Sequence, residues 1–255
     1  MGLNKRRTEI LSLIQEDGHA KVQQLSRIFN VSEVTIRQDL EELDKLGYVQ
    51  REHGGAFLKD VGSFAKSGML FNQTHMEEKK LLAKVAAQFV SDGDSIILDS
   101  GSTTTELARC LLSRNNLVVL TNALNIAYIL GENPGINLLL SGGEFKAPTL
   151  SLTGELAAGM FKGFHAEKLF LATAGITLDN LMLTYPSFSD LAVKKAMIKS
   201  SAKVYLLADS SKIGNPSLAN LGSISMINTL ITDSKIAPEV VAKIEALGVE
   251  VIIAE

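Results

Sequence analysis

Three stretches near the start of the chain place apolar residues on one helical face: Ile10, Leu13 and Ile14; Leu25, Ile28 and Phe29; and Ile36, Leu40 and Leu43 at i, i+4 and i+7. The pattern predicts three short helices sharing one core. Ser32 stands where the third would begin, and its hydroxyl suits the free N–H groups of a first turn. Asn30-Val31-Ser32 is short enough to be a tight turn. Gly47 suits the helix end, residues 48–51 alternate as a strand, and Gly54-Gly55 supply a turn of unrestricted φ before Ala56 to Leu58 return. Helix, turn, helix and hairpin in this order describe a winged helix-turn-helix over residues 1–58.

Residues 59–72, KDVGSFAKSGMLFN, mix Gly, Ser and Lys without clear periodicity and read as a linker. From there the pattern changes. A helix through Lys79 to Val90 is followed by the short apolar runs SIILD, LVVLT, INLLL, EKLFLAT, KVYLLA, NTLIT and VEVIIA, most of them separated by helix-like stretches. Runs apolar on both faces suit a largely parallel sheet covered by helices, so residues 73–255 are expected to form a Rossmann-like α/β domain.

Each region carries candidate chemistry. On the polar side of the third helix lie Glu33, Thr35, Arg37, Gln38 and Glu41; Arg pairs with guanine O6/N7 and Gln with adenine N6/N7. A merely solvated surface helix would show the same split. The flanking helices and the wing, with Arg51 and His53 at its tip, favour a DNA reader. Charge does not decide it: residues 1–58 hold eight Lys/Arg against nine Asp/Glu, and the whole chain has formal net charge −3. Affinity would come from placement, with Arg6, Ser32, Thr35, Arg37, Gln38, Arg51 and His53 gathered toward double-stranded DNA, and from pairing of subunits.

In the second region ligands are expected beyond the carboxyl ends of strands. After SIILD come Ser100, Gly101, Ser102, Thr103 and Thr104, a glycine turn with hydroxyls at a helix start, where free N–H groups and the helix dipole favour an anion. Asn122 follows LVVLT, and Ser141, Gly142, Gly143 and Lys146 follow INLLL. Helix capping alone would explain one such turn; several on one sheet edge point to a site.

Composition narrows the rest. No apolar run has membrane-spanning length and no basic-then-apolar leader opens the chain, so a cytoplasmic protein is expected. The single cysteine, Cys110, excludes an intrachain disulfide, and the histidines 19, 53, 75 and 165 lack ligand spacing. No metal and no cofactor are expected.

The segment VSEVTIRQDLEELDKLGYVQREHGGA resembles the winged helix-turn-helix of the DeoR family of bacterial transcriptional regulators. DSGSTTTELA, TNALN, LSGGEF and LLADSSKIG resemble that family's sensor domain, which is similar in fold to ribose-5-phosphate isomerase and binds phosphorylated sugars. The resemblance implies that residues 100–104 hold a phosphate and that Asn122, Gly142, Gly143 and Lys212 line the rest of the pocket, with Lys146 and Asp190 expected beside them; Asp99 and Asp209, carboxylates at strand ends, are expected to orient loops by accepting backbone donors rather than touch ligand. The chain departs from the family at Gln38, where a second arginine is usual, at Ala174 in place of Asp, at Ser189-Asp190-Leu191 in place of Glu-Glu-Ala, and at Lys146-Ala147 in place of an Arg pair. Phosphate recognition looks retained and sugar recognition altered.

The expected protein is a homodimeric or homotetrameric repressor of a carbohydrate catabolism operon, controlled by a phosphorylated sugar effector and bound to operator DNA. Two alternatives stand beside it: a sugar-phosphate isomerase-like enzyme, for which a catalytic Asp-Gly is missing at Ala174-Gly175, and a winged helix that docks protein.

Overall fold

A computed structural model describes residues 5–17, 19–52, 54–58, 75–146 and 149–255. The stretch expected as a linker, His53 and Ala147 lie outside them. The chain divides into two compact units, Met1–Phe71 and Asn72–Glu255.

In the first unit α1 (Lys5–Asp17), β1 (His19–Lys21), α2 (Val22–Phe29), α3 (Glu33–Lys45), β2 (Val49–Glu52) and β3 (Gly55–Leu58) surround one core. Ile10, Ile14, Leu25, Ile36, Leu40 and Leu43 are buried as their spacing requires. Ile28 is not: it is 53% exposed, because the short α2 buries Val22 and Leu25 and packs Phe29, leaving Ile28 on the other side. Asn30, left-handed at φ 49°, closes α2, and Val31 N–H returns to the Ser26 carbonyl at 3.2 Å. Gly47 at φ +81° ends α3 in a Schellman closure, with Tyr48 N–H donating to the Leu43 carbonyl at 3.0 Å.

The wing is three-stranded, in the antiparallel order β1-β3-β2, rather than the two-stranded hairpin expected. This changes the reason for Gly54-Gly55. Gly54 supplies positive φ (+85°), whereas Gly55 leaves room for β1: a Cβ there would lie 2.4 Å from the Ala20 carbonyl oxygen. Gly55→Ala should therefore destabilise this unit by about 2–3 kcal/mol through displacement of a backbone strand, against roughly 1 kcal/mol for Gly54→Ala. Urea unfolding of the full chain would show the order, and equal losses would contradict it.

The second unit runs α4 (Met76–Ala87), β4 (Ser95–Leu98), α5 (Ser102–Cys110), β5 (Leu117–Thr121), α6 (Leu124–Leu130), β6 (Ile136–Leu140), β7 (Glu144–Lys146), β8 (Ser151–Thr153), α7 (Gly154–Phe161) and β9 (Ala166–Ala172). It continues with β10 (Gly175–Ile176), β11 (Met182–Tyr185), α8 (Phe188–Lys199), β12 (Ser201–Leu207), β13 (Ala219–Ser223), β14 (Thr229–Asp233), α9 (Pro238–Glu245) and β15 (Glu250–Ala254). The apolar runs form a seven-stranded parallel sheet, ordered β15-β14-β12-β9-β4-β5-β6.

Alternation along the strands fills both faces. Ile97, Leu169, Leu171, Val204 and Leu206 pack with α7, α8 and α9, while Ile96, Leu98, Phe170, Tyr205 and Leu207 pack with α4, α5 and α6. From β4 the chain builds outward through β5 and β6, then returns to β9 on the other side of β4 and continues through β12, β14 and β15. The order reverses between β4 and β9, and at such a reversal the loops beyond the strand ends part into a crevice. An antiparallel sheet β10-β11-β13 and a hairpin β7-β8, neither expected, complete the unit. Among the described residues no helix is long and apolar enough to cross a membrane.

Candidate functional site

On α3 the buried stripe leaves Val34, Arg37, Gln38 and Glu41 exposed at i, i+3, i+4 and i+7. Ser32 caps the helix by accepting from Thr35 N–H at 3.1 Å, and the two hydroxyls share a hydrogen bond of 2.9 Å. The Arg37 guanidinium lies 2.5 Å from Glu33, Arg51 approaches Glu41 at 3.9 Å, and Gln38 points to solvent. Ser32, Thr35, Arg37 and Gln38 thus share the opening turns of one helix. Val34, 60% exposed, joins their face as an apolar residue that the polar pattern of the helix does not mark but its position off the Ile36 stripe does.

Arg6 has a structural partner. Its Nε donates to Asp39 Oδ2 at 2.6 Å while Arg7 Nε donates to Oδ1 at 2.8 Å, so both arginines staple α1 to the buried carboxylate of α3. Burial pushes Asp39 up, but the hydrogen bonds and charges of Arg6 and Arg7 outweigh it and hold the carboxyl below its ordinary value. Arg6 thus clamps α1 to α3 through Nε while its side chain stays 36% exposed.

In the second unit the loop after β4 sits at the reversal point. A Cβ on Gly101 would meet the Ala172 side chain of β9 at 2.6 Å, so glycine is needed there for space. Asp99 anchors the loop: Oδ1 accepts from Ser100 N–H at 2.7 Å, Oδ2 accepts from Ala172 N–H at 3.1 Å, and the Lys194 ammonium of α8 closes on Oδ1. Lys194 also reaches the Ser100 hydroxyl at 3.3 Å and stands 5.4 Å over the Tyr185 ring, whose hydroxyl donates to the Ala172 carbonyl at 2.6 Å. Burial pushes the Asp99 carboxyl up, opposed by Lys194 and the amides, and burial with the Asp99 charge raises the Tyr185 hydroxyl well above its usual range.

The expected effector residues fall into two groups. Ser102 begins α5, whose first turn has no side-chain cap, and is half-buried. Thr103 is buried beside it, and the fully buried Thr104 turns its hydroxyl back to the Gly101 carbonyl at 3.0 Å, so that side chain is no ligand donor. Asn122 is likewise spent on structure, accepting from Ser100 N–H at 3.1 Å and donating to the Leu152 carbonyl at 3.0 Å. Gly142 is exposed, and Gly143 at φ +124° lets the turn pass close to Thr153. Lys146 and Asp190 meet as an ion pair of 3.2 Å between β7 and α8. Lys212 closes a 3-10 turn, Ser210–Lys212, after β12.

Among the described residues the buried side-chain polar atoms without a partner are Asn125 Oδ1, Ser141 Oγ, Asp209 Oδ2 and Thr232 Oγ1. Ser141, Asp209 and Thr232 belong to the carboxyl ends of β6, β12 and β14 or the loops leaving them, and Asn125 lies in the first turn of α6, which follows β5. Buried polar groups are normally satisfied, and this sheet edge concentrates the exceptions. Among the described residues no group of three or more His, Cys, Asp or Glu side chains is arranged to hold a metal ion.

The DeoR-like helix-turn-helix domain matches residues 6–60, and the DeoR C-terminal sensor domain matches residues 74–234. The chain belongs to the DeoR family. The transcriptional regulator GolR of Listeria innocua is 34% identical over 98% of each chain. The glycerol-3-phosphate regulon repressor of Escherichia coli K12 is 32% identical over 92% of each. The putative aga operon transcriptional repressor of Escherichia coli O157:H7 is 30% identical over 99% of this chain and 94% of that one. Ribose 5-phosphate isomerase A of Methanocaldococcus jannaschii aligns with 53% of this chain and 53% of its own at 18% identity and a TM-score of 0.40.

This DeoR-family protein is thus a transcriptional regulator and not an enzyme, which removes the isomerase alternative. Within its sensor unit the residues missed from sequence are Lys194 and Tyr185. The signal for Lys194 was available: Asp190, Val193, Lys194 and Met197 are the buried stripe of α8, so charges occupied core positions.

Proposed function

We propose that this DeoR-family regulator is a repressor of a carbohydrate catabolism operon, that pairs of its α3 helices read operator half-sites, and that a phosphorylated sugar bound at the β4/β9 reversal controls it. Ser32, Thr35, Arg37, Gln38 and Arg51 are the proposed DNA-facing set, with Val34 as an apolar contact for a thymine methyl. A repressor named for a glycerol-3-phosphate regulon among its relatives supports a phosphorylated effector.

The observation that carries the sensor reading is the uncapped start of α5 on a sheet edge that also holds partnerless buried polar atoms. Free N–H groups at a helix start favour a phosphate, with Ser100, Ser102 and the amides of residues 101–104 around it, and Lys212 supplies positive charge on the same edge, where Lys146 is paired with Asp190. Effector binding shifts the population of subunit pairings and thereby the spacing of recognition helices.

Ser102→Asp tests the anion site. A carboxylate in a helix's first turn suits its dipole, so the fold should be unharmed, while phosphate meets like charge. A sugar phosphate present at 100 times its Kd stabilises the native state by about 2.7 kcal/mol, a rise of roughly 5–10 °C in Tm. Thermal-shift measurements should show that rise in the wild type and lose it in S102D. An equal response in both would place the anion elsewhere.

A further inference from the structure

Three aspartates stand at or just past the carboxyl ends of strands in the sensor unit, and two have both oxygens satisfied. Asp99 after β4 takes two amides and Lys194. Asp233, ending β14, accepts from Ser210 N–H at 2.7 Å and Lys235 N–H at 3.0 Å, one on each oxygen. Asp209 after β12 differs. Its Oδ1 caps the turn that follows, accepting from Ser211 N–H at 3.1 Å and from the Ser211 hydroxyl. Its Oδ2 is buried without a partner, in a residue only 1% exposed. A fold that satisfies a carboxylate on either side has not done so here, and the cost of such a vacancy exceeds that of a neutral group.

Register places this oxygen. Leu207 of β12 pairs with Ala172 of β9 as the last rung of that ladder, so Asp209 leaves β12 two residues beyond the point where these strands part, at the rim beside the reversal. Ala174 has no polar side chain, and the Thr173 hydroxyl is committed to the Gly175 and Thr184 carbonyls. Asp209 Oδ2 is therefore an open, buried acceptor on that side of the reversal. Between it and the α5 helix start lie two strand spacings, β12 to β9 and β9 to β4, or about 10 Å. An inorganic phosphate does not span that distance, whereas a phosphorylated sugar does.

We propose that Asp209 Oδ2 accepts a hydroxyl of the effector, making Asp209 the residue that selects a polyhydroxylated carbon chain over phosphate alone. This rests on the phosphate reading of the α5 start. Asp209→Asn is the discriminating variant, because its amide oxygen can still cap Ser211 while the open acceptor becomes a donor.

The full chain is assayed by thermal shift and calorimetry with inorganic phosphate and with a panel of aldose and ketose phosphates, in the wild type, D209N and S102D. The expected result is a wild type that prefers at least one sugar phosphate to inorganic phosphate, D209N binding that sugar phosphate about 10- to 100-fold more weakly with its phosphate response intact, and S102D losing both. If D209N keeps the wild-type preference while S102D loses phosphate, this inference falls and the phosphate reading stands. If S102D responds like the wild type, or nothing stabilises the wild type, both fall. Should D209N melt early without ligand, Asp209→Glu, which keeps the charge and moves the oxygen, must lose the same preference; retention would equally overturn the proposal.

Discussion

Arg37→Ala is expected to abolish operator retention without disturbing the fold. The side chain is exposed on α3 and its partner in the free protein is Glu33, one helical turn back. Exposed pairs of this kind are worth roughly 0.3–0.5 kcal/mol, so little stability depends on it. On DNA, a guanidinium paired with a guanine edge contributes about 1–3 kcal/mol of discrimination. A dimer loses two such contacts at once, and retention should weaken by roughly 10²- to 10⁴-fold. The measurement is gel retention on DNA from the protein's own promoter region at one fixed salt concentration, since phosphate contacts make affinity salt-dependent. Retention unchanged by the substitution would mean that the α3 face meets something other than DNA, and the protein-docking alternative would take its place.

Much of this arrangement was legible because it rests on periodicity. The stripe of Ile36, Leu40 and Leu43 set the face of α3, and each apolar run of the second region became a strand of the parallel sheet. What escaped detection had no period to show. β1 is three residues long, α7 is a short Ala- and Gly-rich turn of helix, and the order of strands follows from long-range pairing that no local window contains. The site was legible as loops but not as roles. Asn122 and Thr104 carry the polar groups of a binding residue yet spend them inside the loop, and Arg6 engages Asp39, whose burial the helical pattern did not reveal. The type of a side chain told what it offers; only its neighbours told whether the offer was already taken.

Lys194→Met should be among the most destabilising single changes in the sensor unit. Lys194 is 4% exposed and its ammonium is the counter-charge of Asp99, which is fully buried. Without it, the carboxylate keeps two amide donors but no cation. Breaking one partner of a buried ion pair typically costs about 3–5 kcal/mol. At roughly 2–4 °C per kcal/mol for a unit of this size, Tm should fall by about 10 °C. The pH dependence has a definite sign. Burial already pushes the Asp99 carboxyl above its ordinary value of 3.8, and loss of Lys194 pushes it further. The deficit should therefore be largest at neutral pH, where the buried group must be charged, and should shrink as pH falls toward the ordinary carboxylate value and the folded state takes up the proton. Asp99→Asn combined with Lys194→Met removes both charges and should regain most of the loss. Because Lys194 also touches the Ser100 hydroxyl, the double variant should recover stability without recovering the effector response. A single variant melting within about 1 kcal/mol of the wild type would show that the pair contributes little, and an effector response restored along with stability would show that Lys194 holds the fold and not the loop that faces the ligand.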